Sequence, residues 1–294
     1  MISKYDRLRE LLNPFAGLIK YFGKPIYAIR YYRAYHLFCN LKNPVMFHDK
    51  LTWLSYNTDT SRWSELADKY NVRAYVTEKC GAQYLNELYS VYDSPEDVDF
   101  EKLPNQFVLK MTNGCAMNLI IRDKSNLDIA QVKKRMSFWM KFRFGDLTSQ
   151  PHYSAIKPRI IAEKLLVQNK NADSGLIDYK FNAFNGYIDS IDVYSQRIEG
   201  THLFSSMIYD TDWNPHPEWL DPTKVTYAEV EKPACFEKMK EIASVLSTGF
   251  PYVRVDLYCI DNQPIFGEMT FTPGFAYHTL ECQRRFGDLI VLSK

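Results

Sequence analysis

Charged side chains are expensive in a β-hairpin whose other positions are apolar, and one stretch near the end of this chain is built that way. It reads Val253-Arg254-Val255-Asp256-Leu257-Tyr258-Cys259-Ile260, then Asp261-Asn262-Gln263-Pro264, then Ile265-Phe266-Gly267-Glu268-Met269-Thr270. Arg254, Asp256, Glu268 and Thr270 alternate with Val255, Leu257, Phe266 and Met269. With a loop of Asp261-Asn262-Gln263, Ile260 pairs with Pro264, Asp256 faces Glu268 and Arg254 faces Thr270. Two carboxylates side by side repel unless a cation lies between them. Mg²⁺ takes one or two carboxylates together with phosphate oxygens and water, so the pair is a candidate metal site with Thr270 beside it. A two-residue loop would send the carboxylates to opposite faces, because a slip of one residue inverts every side chain. The competing reading is a solvated sheet face with an Arg–Asp ion pair.

A second hairpin lies upstream. Phe107-Val108-Leu109-Lys110 is a strand, Thr112–Asn118 a polar turn of small residues, and Leu119-Ile120-Ile121 a returning strand. Backbone N–H groups of such a turn, with a lysine at its base, can cradle an anion; an ordinary hairpin with an exposed lysine is the plainer alternative. The pattern is not GxxxxGK[ST], so a P-loop is excluded. Glu163 and Lys164 sit inside the apolar run Ile160–Leu166, and Asp178-Tyr179-Lys180 opens another strand. An acceptor beside apolar walls suits an adenine amino group and a lysine suits phosphate, whereas a surface ion pair at a strand end needs neither.

Around these features the chain reads as α+β. A helix is expected over 67–80, a loop over Ser94–Pro104, an amphipathic helix over 128–142, a β-rich segment over Arg159–Val167 and a polar loop over Asn169–Gly175. Strands Tyr179–Phe184 and Tyr187–Tyr194 join across Asn185-Gly186, a type I′ turn signal. A helix follows over Pro233–Leu246. Strand pairs alternating with helices point to antiparallel sheets, not a doubly wound parallel sheet. Residues 1–65 read as short helices broken at Asn13-Pro14, Lys24-Pro25 and Asn43-Pro44. There Leu11, Leu12, Phe15, Leu18, Ile19 and Phe22 recur at helical spacing among Lys20, Lys24, Arg30 and Arg33. The simpler expectation is that this apolar face packs on the domain behind it; the alternative is contact with a membrane surface through residues 1–40.

Composition excludes several classes. With Lys+Arg 36 against Asp+Glu 35 the chain has no global field for nucleic acid. Its six cysteines are scattered without a CxxC pair and read as reduced thiols. Its six histidines show no HExxH spacing, and no GxSxG elbow appears. No stretch is apolar enough to span a bilayer, and no signal peptide is evident, so the expected address is the cytoplasm, with the inner face of the membrane as an option.

The ordered set resembles the ATP-grasp superfamily: Asp68-Lys69, Phe107–Lys110 before a small-residue turn, Glu163-Lys164-Leu165, Lys180, Arg254-Val255-Asp256, and Glu268-Met269-Thr270 followed by Pro273-Gly274. More closely it resembles TupA-like ATP-grasp proteins, on phrases such as Phe47–Trp53, Ala67–Val76, Asp178–Phe181 and Val253–Tyr258, over about residues 44–280. That resemblance implies two antiparallel-sheet subdomains clasping ATP: a helical segment 1–65, an N-terminal subdomain 66–162 carrying the flap, and a C-terminal subdomain 163–294 carrying the metal site. It implies that Lys69, Lys110 and Lys180 contact phosphates, that Thr112, Asn113 and Gly114 belong to the flap, and that Glu163 with the backbone of Lys164 to Leu166 holds adenine. Asp256, Glu268 and Thr270 would bind Mg²⁺, with Arg254 and Lys180 acting on the transferring group. ATP-grasp ligases usually have Asn where this chain has Thr270, and a hydroxyl is a weaker ligand. The first 65 residues do not read as the parallel α/β domain that often precedes an ATP-grasp core.

The reaction implied is a carboxylate–amine ligation through an acyl phosphate, on a small molecule or a precursor of a cell-surface, capsular polysaccharide. Two alternatives stay open: phosphotransfer to a sugar or polyol hydroxyl, and a non-catalytic nucleotide-binding scaffold of a polysaccharide assembly complex.

Overall fold

The computed structural model describes residues 10–168, 175–198, 203–275 and 277–292. Most of the polar loop expected over Asn169–Gly175 lies outside them. Two compact units emerge. One draws on Met1–Arg30, Thr58–Val72 and Asn86–Leu165, the other on Tyr31–Asn57, Arg73–Leu85 and Leu166–Lys294. The first 65 residues are therefore shared between the units, residues 73–85 fall in the second, and the chain passes from the first to the second for the last time at Leu165–Leu166.

The first unit contains a four-stranded antiparallel sheet: β1 (Leu88–Tyr92), β2 (Phe107–Met111), β3 (Asn118–Ile121) and β4 (Ile160–Lys164), in the order β1-β4-β2-β3. Its apolar residues Phe107, Leu109, Met111, Ile160 and Ile161 are buried. The expected amphipathic helix is Ile129–Met140, started by Asp128, whose carboxylate accepts from the N–H of Gln131. Val132, Met136 and Trp139 recur every three or four residues and are buried; each such side chain contributes roughly 1.5–3 kcal/mol.

The second unit contains six strands, β5 (Asp178–Phe184), β6 (Tyr187–Ser195), β7 (Ser205–Tyr209), β8 (Thr226–Tyr227), β9 (Val253–Ile260) and β10 (Gln263–Thr270), ordered β10-β9-β5-β6-β7-β8. All pairs are antiparallel except the two-residue edge β7–β8. Asn185 and Gly186 have φ of 50° and 87°, the I′ turn that their sequence predicts. The helix Phe236–Ser247 packs on β5, β6 and β9, burying Phe236, Met239, Ile242 and Leu246. That leaves the other face of the sheet to polar side chains.

Also in this unit, the Phe47–Trp53 phrase clamps the helix Leu280–Leu289. Lys50 Nζ donates to the carbonyls of Gly287 (2.7 Å) and Ile290 (2.8 Å) at the helix end. Gly287 is required there, since a Cβ would lie 2.1 Å from the carbonyl oxygen of Val45.

Two boundaries differ from expectation. The helix predicted over 67–80 is present only over Val72–Lys79; Ala67 instead ends a separate helix, Ser61–Ala67. Asp68 is extended and its Oδ1 accepts from the N–H groups of Tyr70 (2.8 Å) and Asn71 (3.1 Å), which restarts the helix. Lys24-Pro25 does not break a helix: Gly23–Tyr35 is continuous, with Pro25 in the first turn where its missing N–H has no partner to lose.

Candidate active site

Register on the polar face of the second unit's sheet creates a row of charge. Lys180 on β5 pairs with Asp192 on β6 and with Asp256 on β9, and Asp256 pairs with Glu268 on β10. The next row contains Asn182, Arg254 and Thr270. Cross-strand partners point to the same side of a sheet, so these groups converge.

The predicted pairing of Asp256 with Glu268 and of Arg254 with Thr270 is present, but not by the predicted loop. Only Asp261 and Asn262 form the turn, with φ of 49° and 60°, and Ile260 pairs with Gln263 rather than Pro264. A bulge between Phe266 and Glu268 adds one residue and restores the register. Gly267 fills it, because a Cβ there would lie 3.0 Å from the carbonyl oxygen of Asp256 and 3.1 Å from the Tyr258 ring. The short loop and the bulge cancel, so both carboxylates reach one face.

Asp256 is buried and held by two cations. Lys180 Nζ lies 2.5 Å from its Oδ2; Arg254 donates Nε to Oδ1 (2.7 Å) and Nη2 to Oδ2 (2.8 Å). Burial pushes the Asp256 pKa up, but the charges of Arg254 and Lys180 outweigh it and hold the carboxyl below its ordinary value. Burial opposes the Arg254 charge, yet Asp256 and then Glu268 raise its pKa well above normal. Thr270 Oγ1 donates to Glu268 Oε1 (3.2 Å) and accepts from Arg254 Nη2 (3.4 Å). Beyond Lys180, Asp178 lies 3.7 Å away and is bridged to Arg197 at 2.7 Å. Asp178 and then burial push the Tyr258 phenol well up.

Behind the row is a buried support that the sequence reading missed. His278 Nε2 lies 3.0 Å from Asp192 Oδ2, Asn182 donates to Asp192 Oδ1 (3.0 Å), and Tyr252 donates to Asn182 Oδ1 (2.8 Å). The one available signal was Asp192 set among apolar strand residues; nothing local linked it to His278, 86 positions later.

The oxygen donors expected from the sequence for a metal are Asp256, Glu268 and the Thr270 hydroxyl. Among the described residues no group of three His, Cys, Asp or Glu side chains could hold an ion. Two carboxylates and a hydroxyl are hard oxygen donors, which fits Mg²⁺ completed by phosphate and water and does not fit zinc. Glu268 borders solvent, with its side chain 30% exposed, so a ligand can approach from that end of the row.

The first unit holds the other predicted residues. Lys110 Nζ donates to Glu163 Oε2 at 2.8 Å, and the Glu163 side chain is nearly buried. Lys69 Nζ donates to the Gly114 carbonyl (2.6 Å), tying it to the expected flap. Thr112 is buried: its hydroxyl accepts from the N–H of Arg159 (3.2 Å) and donates to the Lys157 carbonyl (3.3 Å), so it anchors the turn. Asn113 is also buried, and its Oδ1 has no hydrogen-bond partner among the described residues. Gly114 permits a tight fold, since a Cβ would approach Met117 Cε to 2.6 Å. The Lys164 N–H donates to the Glu87 carbonyl (3.0 Å) and its carbonyl accepts from Asn86 (2.9 Å); Leu166 follows the end of β4 in a segment without regular structure. Arg159, absent from the predicted set, pairs with Asp68 (2.8 Å) and lies over the Tyr70 ring.

The family described as TupA-like ATPgrasp matches residues 49–291. No curated protein matches in sequence. Among solved structures, D-alanine–D-alanine ligase from Bacillus anthracis complexed with ATP is 16% identical, covering 77% of this chain and 65% of that one, with a TM-score of 0.46. D-cycloserine synthetase DcsG is 13% identical, with 83% and 76% coverage and a TM-score of 0.45. The ATP-grasp ligase PsnB complexed with minimal precursor is 13% identical, with 80% and 63% coverage and a TM-score of 0.42. The chain thus spans about 65% of the length of that D-alanine–D-alanine ligase.

Proposed function

The chain belongs to the TupA-like ATP-grasp family and has its α+β fold, and from that premise we propose that it is an ATP- and Mg²⁺-dependent carboxylate–amine ligase. The observation that carries this reading is the convergence of Asp256, Glu268 and Thr270 with Lys180 and Arg254 on one sheet face. In the proposed reaction a carboxylate oxygen takes the γ-phosphoryl group of ATP, giving an acyl phosphate and ADP. An amine then attacks the acyl carbon, and phosphate leaves with the C–O bond while the amine proton passes to solvent.

Asp256, Glu268 and Thr270 are assigned to Mg²⁺. When bound, the ion neutralises phosphate oxygens and fixes their geometry. Arg254 and Lys180 are assigned by the resemblance to oppose negative charge on the transferring group, which is where phosphoryl transfer needs stabilisation. Lys69 and Lys110 are assigned to phosphates and Glu163 to adenine by the family resemblance. Since Glu163 is ion-paired with Lys110, the reading requires that pair to rearrange or be shared when nucleotide binds. The acceptor class, a uronic-acid-containing surface polysaccharide or its precursor, also rests on the resemblance.

The test is phosphate release from ATP and Mg²⁺ with a uronate and an added amine, compared between the wild type and Asp256→Asn. Amine-dependent release by the wild type and none by the variant is expected. A stable phosphorylated product formed without amine would make the protein a phosphotransferase, and ATP binding without turnover would make it a scaffold. Full activity of Asp256→Asn would remove the metal assignment.

A further inference from the structure

The amphipathic segment near the start of the chain does not bury its apolar face. Helical turns cover Asn13–Phe15, Ala16–Ile19 and Lys20–Phe22 and continue into the helix Gly23–Tyr35. Leu11, Phe15, Leu18, Phe22 and Ile29 are between 52% and 68% exposed. At i, i+4, i+7, i+11 and i+18 they fall on one stripe of a helix. Ala16 and Tyr27, on the opposite side, are buried. The simpler expectation, an apolar face packed on its own domain, is therefore reversed.

The orientation is fixed from the buried side. Asn13 donates its amide to the Lys141 carbonyl (2.9 Å), and its Oδ1 accepts from the N–H of Arg143 (2.9 Å). Ser149 donates to the Gly23 carbonyl (2.7 Å), and Arg30 donates to the Thr148 carbonyl (2.6 Å). A Cβ at Gly17 would lie 3.3 Å from the Arg143 guanidinium. These bonds anchor the segment along its polar side and leave the leucine and phenylalanine side chains outward.

The segment is basic. Lys20 and Lys24 are exposed on the polar side of the segment, and Lys141 and Arg143, whose backbone bonds Asn13, are exposed next to its start; among the described residues 10–30 the one acid is Glu10. We propose that the stripe Leu11–Ile29 lies on an anionic lipid surface, with its apolar side chains at the acyl boundary and the lysines of its polar side supplying the attraction to the headgroups. A second copy fits less well, because the same basic segment on a partner offers the exposed Lys20 and Lys24 no anion. The segment lies on the surface and does not cross it: among the described residues no helix is long and apolar enough to span. The inference is independent of the ATP chemistry.

The experiment is flotation of the full chain with vesicles of phosphatidylcholine alone or mixed with phosphatidylglycerol. Wild type is expected to partition onto the mixed vesicles only, and less so as salt is raised. Phe15→Ser combined with Leu18→Ser and Phe22→Ser should weaken partitioning at least about tenfold. Lys20→Glu with Lys24→Glu should weaken it while leaving the apolar stripe intact. All five side chains are exposed, so an unchanged melting temperature confirms that the variants fold. Wild type that fails to float with anionic vesicles, or a triple variant that floats equally well, overturns the proposal. A dimer in light scattering that the triple variant dissolves reassigns the face to a second copy and overturns it as well.

Discussion

Replacing Lys180 with Met keeps the length of the side chain and removes its charge from beside Asp256. At 2.5 Å and an effective dielectric of about 20, the pair attracts by roughly 7 kcal/mol in gross terms. Part of that is returned, because a buried ammonium no longer has to be desolvated. Arg254 still donates twice to the same carboxylate, so Asp256 is not stranded. Removing one partner of a buried pair typically costs about 3–5 kcal/mol, and the remaining Arg254 contacts place the expected loss near about 3 kcal/mol. The sign with pH follows from the depressed Asp256 pKa. Its contribution is present above the unfolded carboxylate pKa and is lost as pH falls through the lower folded value. In Lys180→Met the folded pKa rises, since burial is opposed by fewer cations. The variant's Asp256 then takes up a proton at higher pH and stops being an undercompensated charge. Urea unfolding at pH 7.5 should show the full gap between the two proteins, narrowing as the pH is lowered toward about 4. A gap below about 1 kcal/mol at pH 7.5, or one that stays constant with pH, would refute the account of Asp256 as a charge held by two cations.

Gly267→Val should cost about 1–3 kcal/mol by overpacking the bulge, since its Cβ would press on the Asp256 carbonyl, and should weaken Mg²⁺-dependent turnover; calorimetric melting with an activity assay checks both. His152 is buried and burial pulls its pKa from 6.5 to about 3, so the unfolded chain binds a proton that the folded chain refuses. Stability is then lost as pH falls below the unfolded value, by about 2 kcal/mol between pH 7 and 5, and His152→Gln should remove that part of the slope in urea titrations. Because Asp256 is already neutralised by Lys180 and Arg254, isothermal titration with Mg²⁺ alone should give no measurable binding below millimolar ion, whereas Mg²⁺ with a nonhydrolysable ATP analogue should bind. Tight binding of the bare ion would contradict the charge balance.

The hairpins and the helix over 129–140 were legible because alternation and helical periodicity are local, and so was the α+β class. The Asp256–Glu268 pairing was reached through an incorrect loop. Asp261 and Asn262 both tolerate positive φ, so a two-residue turn forms without glycine, and Gly267 supplies the compensating residue. Nothing in the residue count marks Gly267 as a bulge before the strands are paired. The break at Asp68 could have been seen, since an aspartate two and three residues before free helix N–H groups is a start signal. The support of Asp192 by His278 and of Asn182 by Tyr252 could not, because those contacts join segments far apart in sequence. Apolar periodicity located the stripe at Leu11–Ile29 but could not say which way it faces. That was decided by Asn13 and Arg30 bonding to the backbone around 141–148.

The cluster around Asp256 explains how a fold tolerates a carboxylate in its interior and still keeps it usable. A buried acid without cations would be protonated or would destabilise the sheet. Lys180 and Arg254 remove that cost in the unliganded protein, but they do so by occupying the oxygens that a divalent ion would need. On the proposed function, a polyanion arriving with the ion would relieve the competition, because its phosphates would give the two cations new partners. Glu268 stands at the end of the row that borders solvent, where such an exchange would begin without unfolding the strands. Ion and nucleotide binding would, on the proposed function, be coupled through side chains already committed to each other. Arg254 is central to this coupling, since it contacts Asp256, Thr270 and Glu268 from one guanidinium.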